Sequence, residues 1–419
     1  MSIVKNIWAR EILDSRGLPT IEVAAMSDSG NIAVTSVPAG TSTGTHEALE
    51  LRDNDQARYK GYGVLKAVGL VNDTVAKAIV GKDPSSQFEI DQAIIQLDGT
   101  ANKSKLGANT ILGVSQVVAK LAAGENRMPL YRWINQLYQQ YEKVTPKLPI
   151  PSFNMINGGL HGAGNLDFQE FHLNPTSNIR YSDGLRMCVE VYITLKNLLE
   201  KRGAIHSVGD EGGFAPNLFT NLDALEILFE AVQESGYAIG RDILMSLDVA
   251  ASVFYANNLY KIKDKTAALD ENSIIEYYKA LNAQYHLSSI EDPLNEDSWD
   301  GWAKLTHEIG GDTVVIGDDF LATDIERVKK AIEKKSCNGI LVKPNQIGTI
   351  SETFEVIKTA RASKWEIKVS HRSGETNDWF IADFAVGVAA DTVKFGGPCR
   401  GERVAKYNRL LSIEAELGI

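Results

Sequence analysis

GILVKPNQ, residues 339–346, joins a short apolar run to a lysine and a proline, and runs of the same kind recur through the second half of the chain. Helix-patterned stretches such as IERVKKAIEKK lie between the runs. Successive runs are 23 to 43 residues apart, which fits one strand, one helix and their loops. This alternation predicts a TIM-type (β/α)8 barrel, whose active site lies at the carboxyl ends of the strands. The residues that end six of the runs are Asp248, Glu291, Asp318, Lys343, His371 and Lys394.

The first third of the chain has a different pattern. Residues 1–37 contain three β-rich runs separated by the turn sequences SRGLP and SDSG, which predict a small antiparallel sheet. Helical periodicity follows over residues 65–142, and the proline-containing stretch at 144–151 is typical of a linker. We therefore predict an α/β protein with an N-terminal α+β capping domain over residues 1–140 and a barrel catalytic domain over residues 141–419.

The composition argues against several classes of protein. The chain has 419 residues, of which 44% are hydrophobic and 23% charged, enough to bury a large core. Its formal net charge of -11 argues against a nucleic-acid partner. The three cysteines show neither a disulfide framework nor a zinc-binding spacing. No apolar stretch approaches the roughly 20 residues that span a bilayer, so we expect a cytoplasmic protein without a membrane span.

A turn rich in glycine holds two adjacent acids. In GDEGGFAPN, residues 209–217, glycines and a proline place Asp210 and Glu211 side by side where neither helix nor strand can form. Two neighbouring carboxylates resist being charged together, which shifts their pKa values and can make a general acid at neutral pH. The alternative is a solvated acidic turn or a cap before the next helix.

Three of the strand-end residues are carboxylates. Taken alone, Asp248, Glu291 and Asp318 would each suit a helix cap or a salt bridge. Crowded together they repel one another unless a cation lies among them, and oxygen-only ligation favours Mg2+. The sequence therefore predicts a magnesium site, with Asp319 as a neighbour of the ligands.

Two lysines also end apolar runs. Pro344 holds Lys343 in an extended backbone conformation, and burial near bound cations would lower the pKa of Lys343 and make it a neutral general base. A structural ion pair with one of the acids is the alternative. The same two alternatives, a functional lysine and a structural ion pair, apply to Lys394. Two lysines that face one metal site favour an anionic ligand.

A phosphate-binding group and a loop histidine complete the candidate site. His371, Arg372 and Ser373 combine an imidazole, a planar guanidinium and a hydroxyl, which suits a phosphate. His161 lies in the glycine-rich stretch INGGLHGAGN, which is typical of a mobile lid. An ordinary hydrogen-bonded loop histidine is the alternative for His161.

Along essentially its whole length the chain resembles the enolase family. The matching stretches occur in family order and include ILDSRGLPT, AGTSTGTHEALELRD, FNMINGGLH, QEFHLNP, GDEGGFAPN, SIEDP, VKPNQIGT and SHRSGET. The resemblance implies reversible dehydration of 2-phosphoglycerate to phosphoenolpyruvate. It also implies a homodimer, which in many bacterial members assembles into an octamer.

The resemblance implies a role for each matching residue. The implied ligands of the tighter of two Mg2+ ions are Asp248, Glu291 and Asp318. The implied catalytic residues are Lys343 as the base at C2, Glu211 as the acid at the C3 hydroxyl, Glu170 beside that hydroxyl, and His371 next to the phosphate clamp. The implied substrate-binding residues are His161 on a lid, Gln169 and Lys394 near the carboxylate, and Arg372 and Ser373 at the phosphate.

The chain departs from the family pattern in its first lid loop. The family sequence PSGASTG is PAGTSTG here, so Ala39 stands where the resemblance places a serine that binds the second Mg2+ through its hydroxyl and carbonyl. We expect weaker binding of that second ion. Leu160 likewise replaces a usual serine beside the lid histidine. Two further functions stay open: another metal-dependent lyase, such as an acid-sugar dehydratase, and a catalytically weakened paralogue that acts as a scaffold or binding protein.

Overall fold

The protein combines a small sheet, a group of helices and a closed barrel. The computed structural model describes residues 2–40, 45–162 and 164–418. Both stretches that the sequence predicts as lids are interrupted, because residues 41–44 and Ala163 lie outside the described residues.

The N-terminal part consists of a three-stranded antiparallel sheet, in the order β1-β2-β3, and five α-helices. A π-helical segment, Leu70–Val75, joins the first two helices. The small sheet and the helical stretch predicted from the sequence are therefore confirmed. The elements are β1 (Val4–Leu13), β2 (Pro19–Ser27), β3 (Ile32–Ser36), α1 (Leu65–Gly69), α2 (Ala76–Ile79), α3 (Gln87–Asp98), α4 (Ala108–Glu125) and α5 (Leu130–Tyr138).

Eight strands then close into a barrel, which confirms the predicted fold class. The strands are β4 (Ile150–Asn157), β5 (Glu170–Pro175), β6 (Ile243–Asp248), β9 (Ser289–Glu291), β10 (Val314–Gly317), β11 (Gly339–Val342), β12 (Glu366–Ser370) and β13 (Thr392–Lys394). A small hairpin, β7 (Tyr255–Ala256) and β8 (Leu259–Tyr260), stands apart from the barrel. The helices are α6 (Tyr181–Lys201), α7 (Asn221–Glu234), α8 (Glu271–Tyr285), α9 (Trp299–Ile309), α10 (Ile325–Lys334), α11 (Ile350–Ala362), α12 (Phe380–Gly387) and α13 (Gly401–Leu417).

One strand of the barrel runs against the others. β5 pairs antiparallel with both β4 and β6, whereas the remaining neighbours in the barrel are parallel. The first residue of β5, Glu170, is consequently paired with the last residue of β6, Asp248. The amino-terminal end of β5 therefore lies at the same end of the barrel as the carboxyl ends of the parallel strands.

Helix α5 packs with the barrel. The backbone N–H of Tyr131 donates to Asp383 on α12 at 3.0 Å, and the Asn135 side chain donates to the Gly387 carbonyl at 2.9 Å. The buried residues of α5 belong to the same apolar core as the barrel strands, while the sheet and α4 form most of a second core. The domain boundary at residue 140 stays a prediction.

Asp91 on α3 ties the N-terminal part to α11 of the barrel. Its Oδ2 accepts from the Ser351 backbone N–H at 3.1 Å and from the Ser351 hydroxyl at 2.6 Å, while Oδ1 accepts from Gln87 at 3.0 Å. Complete burial raises the pKa of Asp91 to about 6, although these hydrogen bonds act in the opposite direction. The protonated carboxyl is therefore the form that the folded protein favours at mildly acidic pH.

We expect Asp91→Asn to remove a pH-dependent part of the stability. Because the folded pKa of about 6 lies above the ordinary value of 3.8, this group stabilises the fold below about pH 4 and loses that contribution as the pH rises through about 6. The difference between the two pKa values corresponds to roughly 3 kcal/mol in the free energy of unfolding. Denaturant unfolding at a series of pH values should show the wild type losing roughly that much relative to the variant between about pH 4 and pH 7.

The matched control is Asp300→Asn, because the Asp300 side chain is 94% exposed. That variant should follow the wild-type pH profile throughout. Parallel profiles for wild type and Asp91→Asn would contradict the assignment.

Candidate active site

The polar residues that the sequence places at strand ends meet at one end of the barrel. Carboxyl ends of parallel strands lie together in a barrel, so side chains at these positions converge. Asp248, Glu291 and Lys394 are the last residues of β6, β9 and β13, while Asp318, Lys343 and His371 directly follow β10, β11 and β12.

A small, partly open cavity lies where these residues converge. It is lined by every residue to which the family resemblance assigns a catalytic, substrate-binding or metal-binding role except Glu291, which contacts the lining residue Lys394. Asp210 is not among the lining residues. The lining consists of His161, Gln169, Glu170, Glu211, Asp248, Ala250, Asp292, Asp318, Asp319, Lys343, Ser370, His371, Arg372, Ser373 and Lys394.

Lys394 lies at the centre of a buried charge cluster. Its Nζ is 2.6 Å from Asp248 Oδ2, 2.8 Å from Glu291 Oε1 and 3.0 Å from Glu170 Oε1. Burial alone would lower the pKa of Lys394, but the surrounding carboxylates hold it well above its ordinary value. Lys394 is therefore a cation that is held by three protein carboxylates.

The predicted metal ligands are neighbours on the barrel, but lysines hold their oxygens in this structure. Asp248 and Glu291 are directly opposite each other in the β6–β9 register, and Lys394 bonds to both. Lys343 bonds to Asp318 at 2.5 Å. In the part of the chain that the structure describes, the three acids whose oxygens all lie within 4.8 Å of one another are Asp292, Asp318 and Asp319.

The chemistry of these acids fits a divalent cation. Burial, followed by the charge of Asp248, raises the pKa of Glu291 to about 8, and burial with the charge of Asp318 raises that of Asp319 to about 7. Glu291 Oε2 is buried and has no hydrogen-bond partner among the described residues. Crowded carboxylates that resist ionisation gain from a hard cation with oxygen ligands, which is the preference of Mg2+.

Asp292 holds the loop that carries two of these acids. Its Oδ1 accepts from the backbone N–H of Asp318 and its Oδ2 from that of Asp319, both at 2.8 Å. Burial, together with the charges of Asp319 and Asp318, raises the pKa of Asp292 well above its ordinary value. Our sequence analysis missed this residue, although its position directly after Glu291 in SIEDP was a signal.

Lys343 forms the ion pair that the sequence offers as the alternative to a neutral base. Its Nζ lies 2.5 Å from Asp318 Oδ2, and both side chains are nearly buried. Burial acts to lower the pKa of Lys343, but the charge of Asp318 outweighs it and the pKa is raised. The fall in pKa that is predicted for Lys343 near bound cations stays a prediction, because in this arrangement the nearest charge is a carboxylate.

Glu211 belongs to a buried cluster of acids and imidazoles. Its Oε2 lies 3.5 Å from His161 Nδ1 and 3.4 Å from His371 Nε2, and it has no closer hydrogen-bond partner in the described residues. Burial and Glu170 act to raise the pKa of Glu211, but the two histidines lower it to about 2. The expected upward shift from Asp210 is thus wrong: the acid that opposes ionisation is Glu170, and the imidazoles outweigh it.

His161 carries the complementary positive charge. Burial acts to lower its pKa, but Glu211 and Glu170 raise it to about 9. Its Nδ1 is 3.5 Å from the nearest oxygen of each acid. The alternative of an ordinary loop histidine does not fit a buried imidazole that faces two carboxylates.

Two further residues hold Glu170 in place. Asn154 donates to Glu170 Oε2 at 2.7 Å, and His172 Nε2 lies 2.9 Å from the same oxygen. Burial lowers the pKa of His172, so its neutral ring is favoured and its N–H donates to the carboxylate. Both residues escaped the sequence analysis because they face into the barrel from β4 and β5, where polar residues give no periodic signal.

Arg372 is engaged by an acid from the N-terminal part of the chain. Its Nη1 donates to Glu47 Oε2 at 2.8 Å, and its Nη2 to Glu47 Oε1 at 3.2 Å. Nη1 also donates to Asn345 at 3.1 Å. The planar fork that the sequence assigns to a phosphate therefore meets a carboxylate of similar geometry. Glu47 lies in the quoted stretch AGTSTGTHEALELRD but was not singled out.

Position 39 fastens a loop to the barrel. Ala39 is completely buried, its N–H donates to the Gly374 carbonyl at 2.8 Å, and its own carbonyl accepts from Gly374 N–H at 2.9 Å. It is not among the residues that line the cavity. The carbonyl of Ala39 accepts one hydrogen bond in this bridge, and the predicted weaker binding of a second Mg2+ ion stays a prediction. Leu160 is 55% exposed and also lies outside the lining.

Comparison with known families agrees with this architecture. A family model described as the enolase N-terminal domain matches residues 4–134, and one described as the enolase C-terminal TIM barrel domain matches residues 145–419. Within the described residues, no helix combines the length and apolarity needed to cross a membrane. Since the two matches together extend over nearly all of the sequence, the chain belongs to the enolase family of lyase-type, generally Mg2+-dependent enzymes.

Proposed function

We propose that the protein catalyses the reversible dehydration of 2-phosphoglycerate to phosphoenolpyruvate. The observation that carries the proposal is the placement of a lysine and an acid cluster on opposite sides of one cavity. In the cyclic strand order β11 lies opposite β5, so Lys343 and Glu170 face each other across the barrel mouth. A dehydration breaks a C–H bond and a C–O bond on adjacent carbon atoms. It therefore needs a base near one carbon and an acid near the other.

Lys343 is the group that we assign to the C2 proton. Removing a proton next to a carboxylate builds a second negative charge, which cations must stabilise. Lys343 becomes a base only when Asp318 shares its charge with another cation, since their ion pair otherwise keeps the lysine protonated. Asp248, Glu291 and Asp318, with Asp292 and Asp319 beside them, would hold Mg2+, which when bound supplies Lewis-acid stabilisation of the developing charge.

The acid cluster is assigned to the C3 hydroxyl. Electrons of the broken C2–H bond form the C2–C3 double bond, and the C3–O bond breaks with release of hydroxide, which needs one proton to leave as water. With pKa values of about 9 for His161 and about 2 for Glu211, the cluster stores that proton on the imidazole near neutral pH. The unpartnered Glu211 Oε2, 3.5 Å from His161 Nδ1, is suited to receive the hydroxyl and pass the proton to it.

Arg372 and Ser373 are assigned to the phosphate. A phosphate monoester carries a charge of roughly -1.5 to -2 and three acceptor oxygens, so it competes with the single charge of Glu47 for the guanidinium. The family suggests a phosphorylated small molecule as substrate. An acid-sugar dehydratase would have no phosphate to place against Arg372. A second Mg2+ ion, a homodimer or octamer, and cytoplasmic location stay predictions.

Replacing Lys343 by alanine should abolish turnover. General bases contribute roughly a hundredfold to ten-thousandfold to rate, so we expect kcat to fall by at least roughly a hundredfold when formation of phosphoenolpyruvate is followed by ultraviolet absorbance. Exchange of the C2 proton in deuterated water should be lost as well. Glu211→Gln should lose dehydration but retain C2 exchange, because the two residues act on different carbons.

The matched control is Lys103→Ala. Lys103 is also a nearly buried, ion-paired lysine, with its Nζ 2.7 Å from Glu352, but it does not line the cavity. It should change stability and leave kcat unaltered. Turnover of unphosphorylated glycerate by the wild type, with none of 2-phosphoglycerate, would favour the acid-dehydratase alternative. No reaction with either would favour the scaffold.

Mg2+ binding should depend on the strand-end carboxylates. We expect Asp318→Asn to weaken binding of Mg2+ by roughly tenfold to a hundredfold in calorimetric titration with MgCl2 alone. A chelator should stop wild-type turnover, and added Mg2+ should restore it. The amide keeps the shape of the side chain but loses the charge that attracts the cation.

Asp383→Asn serves as the control for this measurement. Asp383 is completely buried and paired with Arg409 at 2.7 Å, away from the cavity. This variant should bind Mg2+ as the wild type does. Equal Mg2+ affinity of wild type and Asp318→Asn would count against the assigned ligands.

A further inference from the structure

Arg403, near the start of α13, is a buried arginine that reaches two loops of the site. It is completely inaccessible to solvent. Its Nη1 donates to the carbonyl of Arg372 at 2.6 Å, and its Nη2 to the carbonyls of Ser373 at 2.6 Å and Asp210 at 3.1 Å. One guanidinium thus joins the loop after β12 to the turn that carries Glu211.

The same guanidinium meets a ring nitrogen of His371. Arg403 Nη1 is 2.7 Å from His371 Nδ1. A guanidinium has only donors, so His371 Nδ1 must accept and cannot carry a proton. The neutral ring then has its proton on Nε2, the nitrogen that faces Glu211 Oε2 at 3.4 Å.

The surrounding charges agree with a neutral ring. Burial lowers the pKa of His371 to about 4, and the positive charge of Arg403 acts in the same direction, while Glu211 and Glu170 oppose it. Near neutral pH the ring is therefore uncharged. It presents a single N–H on Nε2, which lies 3.4 Å from Glu211 Oε2 without completing a hydrogen bond in this structure.

Gly396 packs closely against this contact. The backbone of Gly396, after β13, has a φ of 87°, and a Cβ there would lie 2.5 Å from the Glu211 carbonyl, 3.0 Å from Arg403 Cδ and 3.1 Å from His371 Cε1. Such distances are below normal van der Waals contact. Arg403, His371 and the Glu211 backbone therefore pack tightly against Gly396.

We propose that Arg403 is a positioning residue that fixes His371 in the Nε2–H tautomer and holds this nitrogen beside Glu211. It does not touch the cavity itself but acts through His371 and through the two loops that it joins. The tautomer follows from the geometry alone. Its consequence for catalysis rests on the proposed function, in which Glu211 assists loss of the C3 hydroxyl.

The tautomer can be measured directly in the intact protein. The chain contains 7 histidines, and a two-dimensional 15N–1H spectrum of 15N-histidine-labelled protein distinguishes protonated from unprotonated ring nitrogens. The signal that disappears in His371→Gln identifies the residue. We expect His371 to show an unprotonated Nδ1 and a protonated Nε2 from about pH 6 to pH 8, since its pKa is about 4.

Two variants separate positioning from stability. Arg403→Met removes all donors, and we expect the His371 ring to lose its single tautomer and kcat to fall by roughly tenfold to a hundredfold. Arg403→Lys keeps a donor and should retain the tautomer and recover part of kcat. If Arg403→Met does not fold, Arg403→Lys still provides a test, because it keeps a positive charge at this position.

Arg361 provides the matched control. It lies on α11, donates to the carbonyls of Val388 and Ala389 at 2.8 Å and 3.0 Å, and does not line the cavity. Arg361→Met should lower stability but leave the His371 spectrum and kcat unaltered.

Three results would overturn the proposal. The first is a proton on His371 Nδ1 in the wild type. The second is a folded Arg403→Met protein with the wild-type tautomer and kcat, and the third is loss of the tautomer in Arg403→Lys with kcat unchanged. If the wild type shows the expected tautomer but does not convert 2-phosphoglycerate, the proposed function fails while the positioning role of Arg403 stands.

Discussion

The structure depends on the balance of buried charge around Lys394. An ionised carboxylate that is taken out of water without a partner costs several kcal/mol, and the barrel mouth buries several of them side by side. Lys394 contacts Asp248, Glu291 and Glu170 at once, so its single charge lowers the repulsion within the whole group. This cation, with Lys343 beside Asp318, offsets part of the repulsion between the acids where the strand ends meet. The raised pKa of Glu291 indicates that the compensation is incomplete.

The barrel topology explains why chemically opposite groups share one cavity. Parallel strands bring their last residues to the same end, which accounts for the carboxylates and for Lys343. The reversed strand β5 adds residues from its beginning, and Glu170 therefore pairs in register with Asp248. Because β5 also lies opposite β11 in the closed order, the reversal places the acid cluster across the cavity from the lysine. One antiparallel strand thus separates the two halves of the proposed reaction.

Much of this arrangement could be predicted from the sequence, and the part that could not has physical causes. Spacing and apolar runs predict strand ends, so the barrel and residues such as Asp318 followed from the pattern, while Glu170, at the start of a strand, came only from family resemblance. Charge balance is a property of contacts in three dimensions. The raised pKa of Lys343 in its ion pair could therefore not be predicted, since the sequence does not show how close Asp318 lies. Arg403 was missed because it reaches the site from a helix far along the chain.

Every cation assigned to the substrate is paired with a protein acid in this structure, and this constrains how binding can occur. An anionic substrate that arrived alone would have to displace a carboxylate from each cation and leave that carboxylate buried without a partner, at a cost of several kcal/mol. A divalent cation would remove this difficulty, since Asp248, Glu291 and Asp318 would hold it and Lys343 and Lys394 would then be able to contact the proposed substrate. Binding of the proposed substrate would then be an exchange of ion partners within a nearly constant buried charge. The pairs that would exchange are Lys343 with Asp318, Arg372 with Glu47, and Lys394 with Asp248, Glu291 and Glu170.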